Sequence, residues 1–271
     1  MLFRLLALVA LPLVACLPLA PSPVTQHGLI AAPRAASFDG QPMHSRTRVE
    51  GHFSTARITE LGGVADSGAA VARHQAGGAL RAALTPTTDL GLEGDAAWSA
   101  TESTLSGDSS MATGVPNAAV IDAAIALRTS LGTGPMRVGL ALALGLSSSP
   151  IHRAGQPGDL YSRDEAALAR AAVVPSYRFD NITLYASLGG ATQSDVKETF
   201  TWFPDNESGS DPGVVVETSQ FVLTVAAGAT VDIGESAHLT AQVGDAIGSE
   251  THFGPQLMAG VAIDLGPTAT R

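Results

Sequence analysis

The sequence predicts an all-β protein, an antiparallel up-and-down transmembrane β-barrel of about ten strands with short periplasmic turns and long outer loops. Two observations predict this fold class. Apolar and small side chains alternate with a period of two along several stretches of the chain, and the connections between those stretches alternate between short and long. A third observation agrees: Pro and Gly recur at short intervals, and the chain lacks a long apolar pattern with the helical period of about 3.6 residues.

The clearest alternation runs from Arg137 to Leu146, where even positions hold Val and Leu and odd positions hold Arg, Gly and Ala. Consecutive side chains of a strand point to opposite faces, so one face is bulky and apolar and the other is small. Residues 220–229 and 256–265 repeat the pattern. The alternation is weaker in residues 88–98, 118–131 and 182–192, and it is weakest in 46–60 and 72–85.

The connections predict which ends of the strands lie together. Residues that favour tight turns cluster at 86–87, 132–135, 180–181 and near 232–235. Longer polar stretches occur at 61–71, 103–117, 150–165, 195–212 and 247–253. Short turns at one rim and long loops at the other are typical of membrane barrels, and an even strand number puts both chain termini on the short-turn, periplasmic side.

The residues opposite the aliphatic rows favour a membrane barrel over a soluble β-sandwich. A soluble sandwich would expose a face rich in Lys, Glu, Thr and Gln. Here that face holds mainly Gly, Ala, Ser and Thr with scattered charges, and the chain has a single lysine, Lys197. The 5% aromatic content is low for two interfacial girdles. The aromatic candidates for those girdles are Trp98, Tyr177, Phe179, Trp202 and Phe203.

Charged residues on the small face are predicted to line the lumen, where an unpaired charge would be costly. Both signs are present, so we expect a paired network that plugs a narrow barrel, in preference to a catalytic or ion-selective role. The predicted set is Arg73, Arg81, Asp89, Glu93, Asp95, Asp122, Arg128, Arg137, Arg170, Arg178, His238 and Asp264.

The start of the chain has the form of an export signal, with Arg4, an apolar stretch and small residues before Cys16. The apolar stretch is shorter than the roughly 20 residues of a spanning helix. The tetrapeptide that ends at Cys16, Leu-Val-Ala-Cys, resembles the lipobox of Gram-negative lipoproteins. This resemblance implies a diacylglycerol on Cys16, and Leu17 after it favours the outer membrane. Because Cys16 is the only cysteine, an internal disulfide is excluded.

These features predict how the chain is divided into segments and which known barrels it resembles. The part after the signal resembles small porin-like outer-membrane barrels, although it lacks their usual aromatic last residue. We expect a signal peptide at 1–15, a lipidated cysteine and flexible tether at 16–45, a barrel at 46–266 and a tail at 267–271.

The sequence shows no convincing catalytic or metal site. Gly107-Asp108-Ser109 resembles the nucleophile block of one lipase family, but the Asp-x-x-His partner is missing. Residues 205–211 are rich in oxygen ligands yet lack the spacing of a calcium loop, and the histidines lack ligand spacing. A net charge of −10 without a basic run excludes nucleic acid. We therefore expect no metal, no cofactor and no enzymatic activity.

The sequence thus predicts an outer-membrane barrel lipoprotein, monomeric in outer-membrane lipid, with a structural or surface-interaction role through loops that bind an extracellular or envelope partner. Three alternatives stay open: a narrow channel for small solutes, a soluble periplasmic β-sandwich lipoprotein, and an outer-membrane hydrolase. For a hydrolase, His74 and His252 are the only candidates, and the sequence completes a site around neither.

Overall fold

The computed structural model describes residues 24–31, 34–60, 70–72, 74–98, 119–154, 160–195, 199–200, 218–247 and 252–268. No helix in this part of the chain is long and apolar enough to cross a membrane. The strands are β1 (Val24–Ala31), β2 (Ser45–Glu60), β3 (Ala70–Ala72), β4 (His74–Thr85), β5 (Thr88–Trp98), β6 (Val120–Leu131), β7 (Met136–Ala154), β8 (Leu160–Phe179), β9 (Ile182–Asp195), β10 (Thr199–Phe200), β11 (Thr218–Ile233), β12 (Ala237–Ile247) and β13 (His252–Thr268).

Ten of the described strands close into an antiparallel barrel. Its members, in ring order, are β2, β4, β5, β6, β7, β8, β9, β11, β12 and β13. The first and last members pair with each other, with Val49 opposite Ile263, so the ring has no free edge. This closure confirms the predicted fold class, and the β-sandwich alternative is wrong because one continuous sheet closes on itself.

The aliphatic rows point outward on all ten barrel strands. Leu142 and Ile263 are both 46% exposed, whereas their neighbours Ala143 and Asp264 face inward and are buried. A soluble monomer rarely exposes contiguous apolar patches beyond a few hundred Å². An apolar band around the whole circumference is the surface that a barrel presents to lipid hydrocarbon.

The few aromatic side chains concentrate near the two rims. Tyr177 and Phe179 lie beside the β8–β9 turn with their ring centroids 4.5 Å apart. Near the opposite rim, the rings of Phe53, His74 and Trp98 group on the outside of the barrel at centroid distances of 6.0 to 6.3 Å. Aromatic residues lie at both membrane interfaces of such barrels, and the aromatic side chains named above lie at the two corresponding rims.

The four tight turns form where the sequence predicts them. Three of them contain residues with positive φ: Gly132 and Gly134 in the β6–β7 turn, Asp180 at φ 45° in the β8–β9 turn, and Gly234 in the β11–β12 turn. The β7–β8 connection differs from the prediction. Residues 150–165 were expected to be a loop, but the strands pair as far as Arg153 opposite Leu160. The pairing of β6 with β7 ends earlier, at Ser148. The β7–β8 hairpin therefore extends beyond the end of β6. The sequence did not predict this extension, because the residues there are polar and show no alternation of apolar and small side chains.

The chain between the signal region and the barrel is not the free tether that the sequence predicted, at least over residues 24–31 and 34–44. Residues 34–44, here called the lumen segment, run through the barrel, and Phe38 is only 4% exposed. At one end His44 lies 3.0 Å from Arg178, next to the β8–β9 turn. At the other end β1 pairs with Ile151–Ala154, beyond the end of β6.

The lumen segment therefore crosses from the short-turn rim to the long-loop rim. The sequence prediction had placed both termini on the short-turn side, whereas β1 lies at the long-loop rim, where it also pairs with β3 and β10. The Pro/Ala-rich composition gave no hint of this path because an extended chain in a lumen is held by individual contacts and needs no periodic pattern.

Candidate functional site

The middle of the lumen holds two buried arginines, Arg81 on β4 and Arg128 on β6, which are 2% and 4% exposed. Glu50 on β2 accepts hydrogen bonds from Arg81 Nε at 2.9 Å and from Arg128 Nη2 at 2.8 Å. Asp89, the cross-strand partner of Arg128, accepts from Arg128 Nε at 3.0 Å and from Arg81 Nη1 at 3.3 Å. We call these four residues the central square; its two positive and two negative charges balance, which offsets the cost of burial.

A second group of wall charges lies nearer the long loops, because β5 runs from the short-turn rim towards them. Glu93 and Asp95 on β5 are inward-facing. Arg170 on β8 donates to Glu93 Oε2 at 3.1 Å and lies 3.7 Å from Asp95 Oδ2. Asp122 on β6 is the direct cross-strand partner of Asp95. Like charges placed directly opposite each other in a sheet destabilise it, so this group needs a further cation.

That cation comes from the lumen segment. Arg34 Nη1 donates to Asp95 Oδ1 at 2.8 Å, and Arg34 Nη2 lies 3.7 Å from Glu93. His52 on β2 contacts the same Arg34 guanidinium, and its Nε2 lies 2.6 Å from Asp95 Oδ1. Gly77 permits the arrangement, because a Cβ at this position would overlap the Asp95 carboxylate. We call Glu93, Asp95, Asp122 and Arg170, together with His52, the outer group.

A third group, the inner group, lies at the short-turn end and is complete within the wall. Arg48 on β2 binds Asp264 on β13 through two hydrogen bonds of 2.7 and 3.1 Å. His238 on β12 lies between Asp264 and Asp232, at 3.1 and 2.6 Å. Arg178 donates to Asp232 at 2.6 Å. Two arginines here balance two carboxylates, with the histidine held between them.

The apolar anchor of the lumen segment is Phe38. Its ring packs with Val174 and Tyr185, and the Arg128 guanidinium lies 4.8 Å from the ring centroid. On β7, Gly139 leaves the room that this ring needs, since a Cβ there would come within 2.5 Å of it. A larger residue at position 139 would therefore push the segment away without removing any charge.

Two hydrogen bonds add to this anchor. Ser130 Oγ donates to the carbonyl oxygen of Gly40 at 2.8 Å, and Gln41 Nε2 donates to Ser176 Oγ at 2.9 Å. The lumen segment forms no strand between residues 34 and 44. Side-chain contacts and single hydrogen bonds, without a backbone ladder, therefore hold it in the barrel.

The structure places the inward residues predicted from the sequence in different ways. Arg137 lies near the β6–β7 turn, where it donates to the Gly132 carbonyl at 3.3 Å. Arg73 and Cys16 lie outside the described residues, as do Gly107-Asp108-Ser109, residues 205–211, Trp202 and Phe203. The remaining inward residues occupy the three groups above: Arg81, Asp89, Glu93, Asp95, Asp122, Arg128, Arg170, Arg178, His238 and Asp264.

Sequence reasoning missed several members of these groups. Arg48, Glu50 and His52 recur at every second position of β2, and this polar period could have identified them as one inward row. Arg34 was assigned to the tether and Asp232 to a turn. Of the two hydrolase candidates, His74 lies on the outer face beside Phe53, away from the lumen charges, and the side chain of His252 is not among those described.

Comparisons with known proteins give only distant likenesses. No family model matches the chain, and no curated protein matches it. Among solved structures, the translocator domain of the autotransporter NalP from Neisseria meningitidis is similar at 12% identity and a TM-score of 0.42, over 83% of this chain and 90% of that one. The N-terminal barrel of Pseudomonas aeruginosa OprF is similar at 12% identity and a TM-score of 0.34, over 82% and 100%.

The outer membrane protease OmpT of Escherichia coli is similar at 11% identity and a TM-score of 0.36, over 83% of this chain and 98% of that one. The OprF structure is named as a β-barrel domain, and OmpT is named as an outer membrane protease. The closed barrel described above follows from the strand pairing of this chain itself.

Proposed function

We propose that this chain is a monomeric outer-membrane barrel with a closed lumen and a structural or surface-interaction role. The observation that carries the proposal is the lumen segment, which runs through the barrel between wall charges that are themselves hydrogen-bonded. A ten-stranded barrel is little wider than one that side chains alone can fill. A peptide and three charged groups occupy much of that width, which supports a lumen closed to solutes.

The surface-interaction role is supported by what lies at the long-loop rim. The β7–β8 hairpin extends past β6, and β1 pairs with its β7 edge to form a small sheet beyond the barrel. In membrane barrels the long-loop rim faces the exterior. Among the described residues, β8 pairs with β7 from Leu160 onward but with β9 only from Arg170 onward, so the outer part of β8 has an edge without a described strand partner. Such edges bind extended segments of other proteins through backbone hydrogen bonds, so an extracellular or envelope protein is the partner proposed for this rim.

A non-enzymatic role is supported by the state of the lumen histidines. His238 contacts Asp232, Asp264 and Arg48, so both ring nitrogens already have partners. The Nε2 of His52 contacts Arg34 and Asp95, and its Nδ1 lies 3.3 Å from Arg34 Nη1. A general base needs a free nitrogen within reach of a substrate proton, and neither histidine offers one in this arrangement.

The lipid anchor on Cys16 is part of the proposal, and the position of β1 suggests which leaflet holds it. Eight residue steps separate Cys16 from Val24, and a fully extended chain of that length spans at most about 28 Å. The hydrocarbon core is about 30 Å thick. From a β1 at the long-loop rim, an acylated Cys16 reaches the outer leaflet and falls short of the periplasmic one.

Two experiments test the folded, closed barrel. In planar bilayers the purified full-length protein is expected to give no stepwise current, while an unboiled gel sample migrates differently from a boiled one because the barrel is folded. Stepwise current from the unmodified protein would contradict the closed lumen.

For the anchor, an epitope inserted after Ala20 is expected to bind antibody on intact cells, and labelled palmitate is expected on the parent chain but not on Cys16→Ser. Antibody binding only after the outer membrane is permeabilised would contradict the proposed leaflet. Equal palmitate labelling of both chains would contradict acylation at Cys16.

A further inference from the structure

We infer that the lumen segment is a removable counter-ion plug, and that the barrel around it is a latent cation-selective pore. The inference rests on the proposed function as a closed outer-membrane barrel and adds a second state to it. The charge on the wall carries the argument, because it is balanced everywhere along the described lumen except at the level of the outer group.

The charge balance differs from level to level. The inner group contributes Arg48 and Arg178 against Asp232 and Asp264, and the central square contributes two arginines against two carboxylates. In the outer group the wall supplies Arg170 against three carboxylates: Glu93, Asp95 and Asp122. Arg81 also contacts Glu93, but its charge is already counted in the central square. The wall alone therefore has an excess of two negative charges here, and Arg34 of the segment offsets one of them.

The carboxylates of the outer group also have acceptor capacity left over. Asp95 is 5% exposed, yet its Oδ2 accepts no hydrogen bond from the described residues, and neither does Asp122 Oδ1. These two residues are cross-strand partners, so their unused oxygens lie on neighbouring strands at one level of the lumen. Without the Arg34 guanidinium, this level would attract mobile cations to satisfy both its charge and its empty acceptor positions.

The way in which the segment is held makes its removal feasible. Its described contacts are the Arg34 ion pairs and the contact of Arg34 with His52, the packing of Phe38, single hydrogen bonds at Gly40 and Gln41, and the contacts of His44 with Arg178 and His238. Elements without a backbone ladder open at a lower free energy than the sheet that surrounds them. The wall strands keep their own pairing when the segment leaves.

Space beside the segment shows where the pore would form. One cavity is lined by Phe38 and Arg170, among others, and a second by Phe38, Arg48 and His238. Ser37 and Phe38 of the segment line both cavities, together with Arg128 of the wall. We expect the departure of the segment to join the two cavities into one passage, which runs from the inner group past the central square to the acidic level.

The test is the conductance of full-length variants in planar bilayers under a KCl gradient. Arg34→Glu places a negative charge against Asp95 and Glu93, so the segment is expelled and stepwise current appears. The reversal potential is expected to show a preference for K⁺ over Cl⁻ of about ten-fold, since clefts lined by one sign of charge concentrate the opposite ion. Arg46→Glu makes the same charge change at an exposed position of β2 and is expected to stay closed.

Two further variants keep the test decisive. Gly139→Leu removes the room for the Phe38 ring and is expected to open the same cation-selective pore without altering a charge; Gly51→Leu on the lipid face, where a Cβ would lie 3.8 Å from its nearest neighbour, is the matched control. Adding Asp95→Asn and Asp122→Asn to Arg34→Glu is expected to remove the K⁺ preference.

The outcomes separate the two proposals. Folded, heat-modifiable Arg34→Glu and Gly139→Leu proteins that stay closed, or that open without a cation preference, would overturn the inference and leave the closed-barrel proposal standing. If Arg34→Glu fails to fold, Gly139→Leu decides alone. Current from the unmodified protein would instead overturn the proposed function.

Discussion

The two ends of the lumen are built from the same residue types but differ in what completes them. In the inner group, Arg48 and Arg178 meet Asp232 and Asp264, all held by barrel strands. In the outer group the cation that binds Asp95 comes from the lumen segment, which belongs to no strand. A buried charge cluster whose cations and carboxylates all lie on barrel strands persists as long as the sheet does. A cluster whose cation lies on the lumen segment persists only while the segment stays in the barrel.

The largest effect is expected where the cluster closes within the wall. Arg48→Leu leaves Asp264 buried without its two-point partner, and breaking a buried ion pair costs about 3–5 kcal/mol. The free energy of unfolding in detergent, from urea titration, should fall by that amount. Arg46→Leu, at an exposed position next to the start of β2, is the control and should change little. A loss as small as that of the control would show that the inner group is not what stabilises this end.

A smaller effect is expected where the wall must leave room for the outer group. Gly77→Ala puts a methyl group where the Asp95 carboxylate lies, and such overpacking typically costs about 1–3 kcal/mol. The displaced carboxylate also loses its geometry towards Arg34 and His52. We expect a lower unfolding free energy together with detectable current in a planar bilayer. Gly51→Ala, which meets only ordinary van der Waals contact, should show neither change.

The smallest effect on stability is expected for the borrowed cation itself. Arg34→Leu removes the closest arginine from Asp95, but His52 and Arg170 remain near its carboxylate. The segment can also leave so that water hydrates the carboxylate, and the barrel should therefore lose less than about 1 kcal/mol. The mobility of the segment should change instead. With Cys16 replaced by Ser, a cysteine at Ser37 should react with a water-soluble maleimide several-fold faster in Arg34→Leu than in the parent chain. Equal maleimide reaction rates in Arg34→Leu and the parent chain, or a stability loss as large as that of Arg48→Leu, would contradict the proposed difference between the inner and outer groups.

The barrel itself could be predicted from the sequence because its determinants are local and periodic. The alternation from Val138 to Leu146 predicts both the strand and the face that contacts lipid, and clustered turn residues such as Asp180-Asn181 identify the short-turn rim. On β5, Asp89, Glu93 and Asp95 alternate with aliphatic residues strongly enough to be assigned inward. The register between neighbours then follows from these alternations and the short turns.

The lumen segment could not be predicted in the same way. Its contacts, Arg34 with Asp95 and Gln41 with Ser176, join residues 61 and 135 positions apart and repeat with no period. Nothing in a Pro/Ala-rich stretch distinguishes a chain threaded through a lumen from one that hangs free. The inward row of β2 was missed because the outward residues between its members are too small to give a clear apolar row. Gly51, between Glu50 and His52, is one example.

The most direct measurement of the central claim is a disulfide between the lumen segment and the wall. A Cβ at Gly40 would lie 3.2 Å from Ser176 Cβ and 2.7 Å from the Val174 carbonyl oxygen, so a cysteine there reaches the roughly 3.5–4.5 Å separation of a disulfide after a small shift of the segment. In a Cys16→Ser background, Gly40→Cys with Ser176→Cys should oxidise to a cross-link seen on a non-reducing gel. Gly40→Cys with Tyr177→Cys, one residue along but on the lipid face, should not. Two free thiols in the first pair, or equal cross-linking in both, would contradict a segment threaded through the barrel.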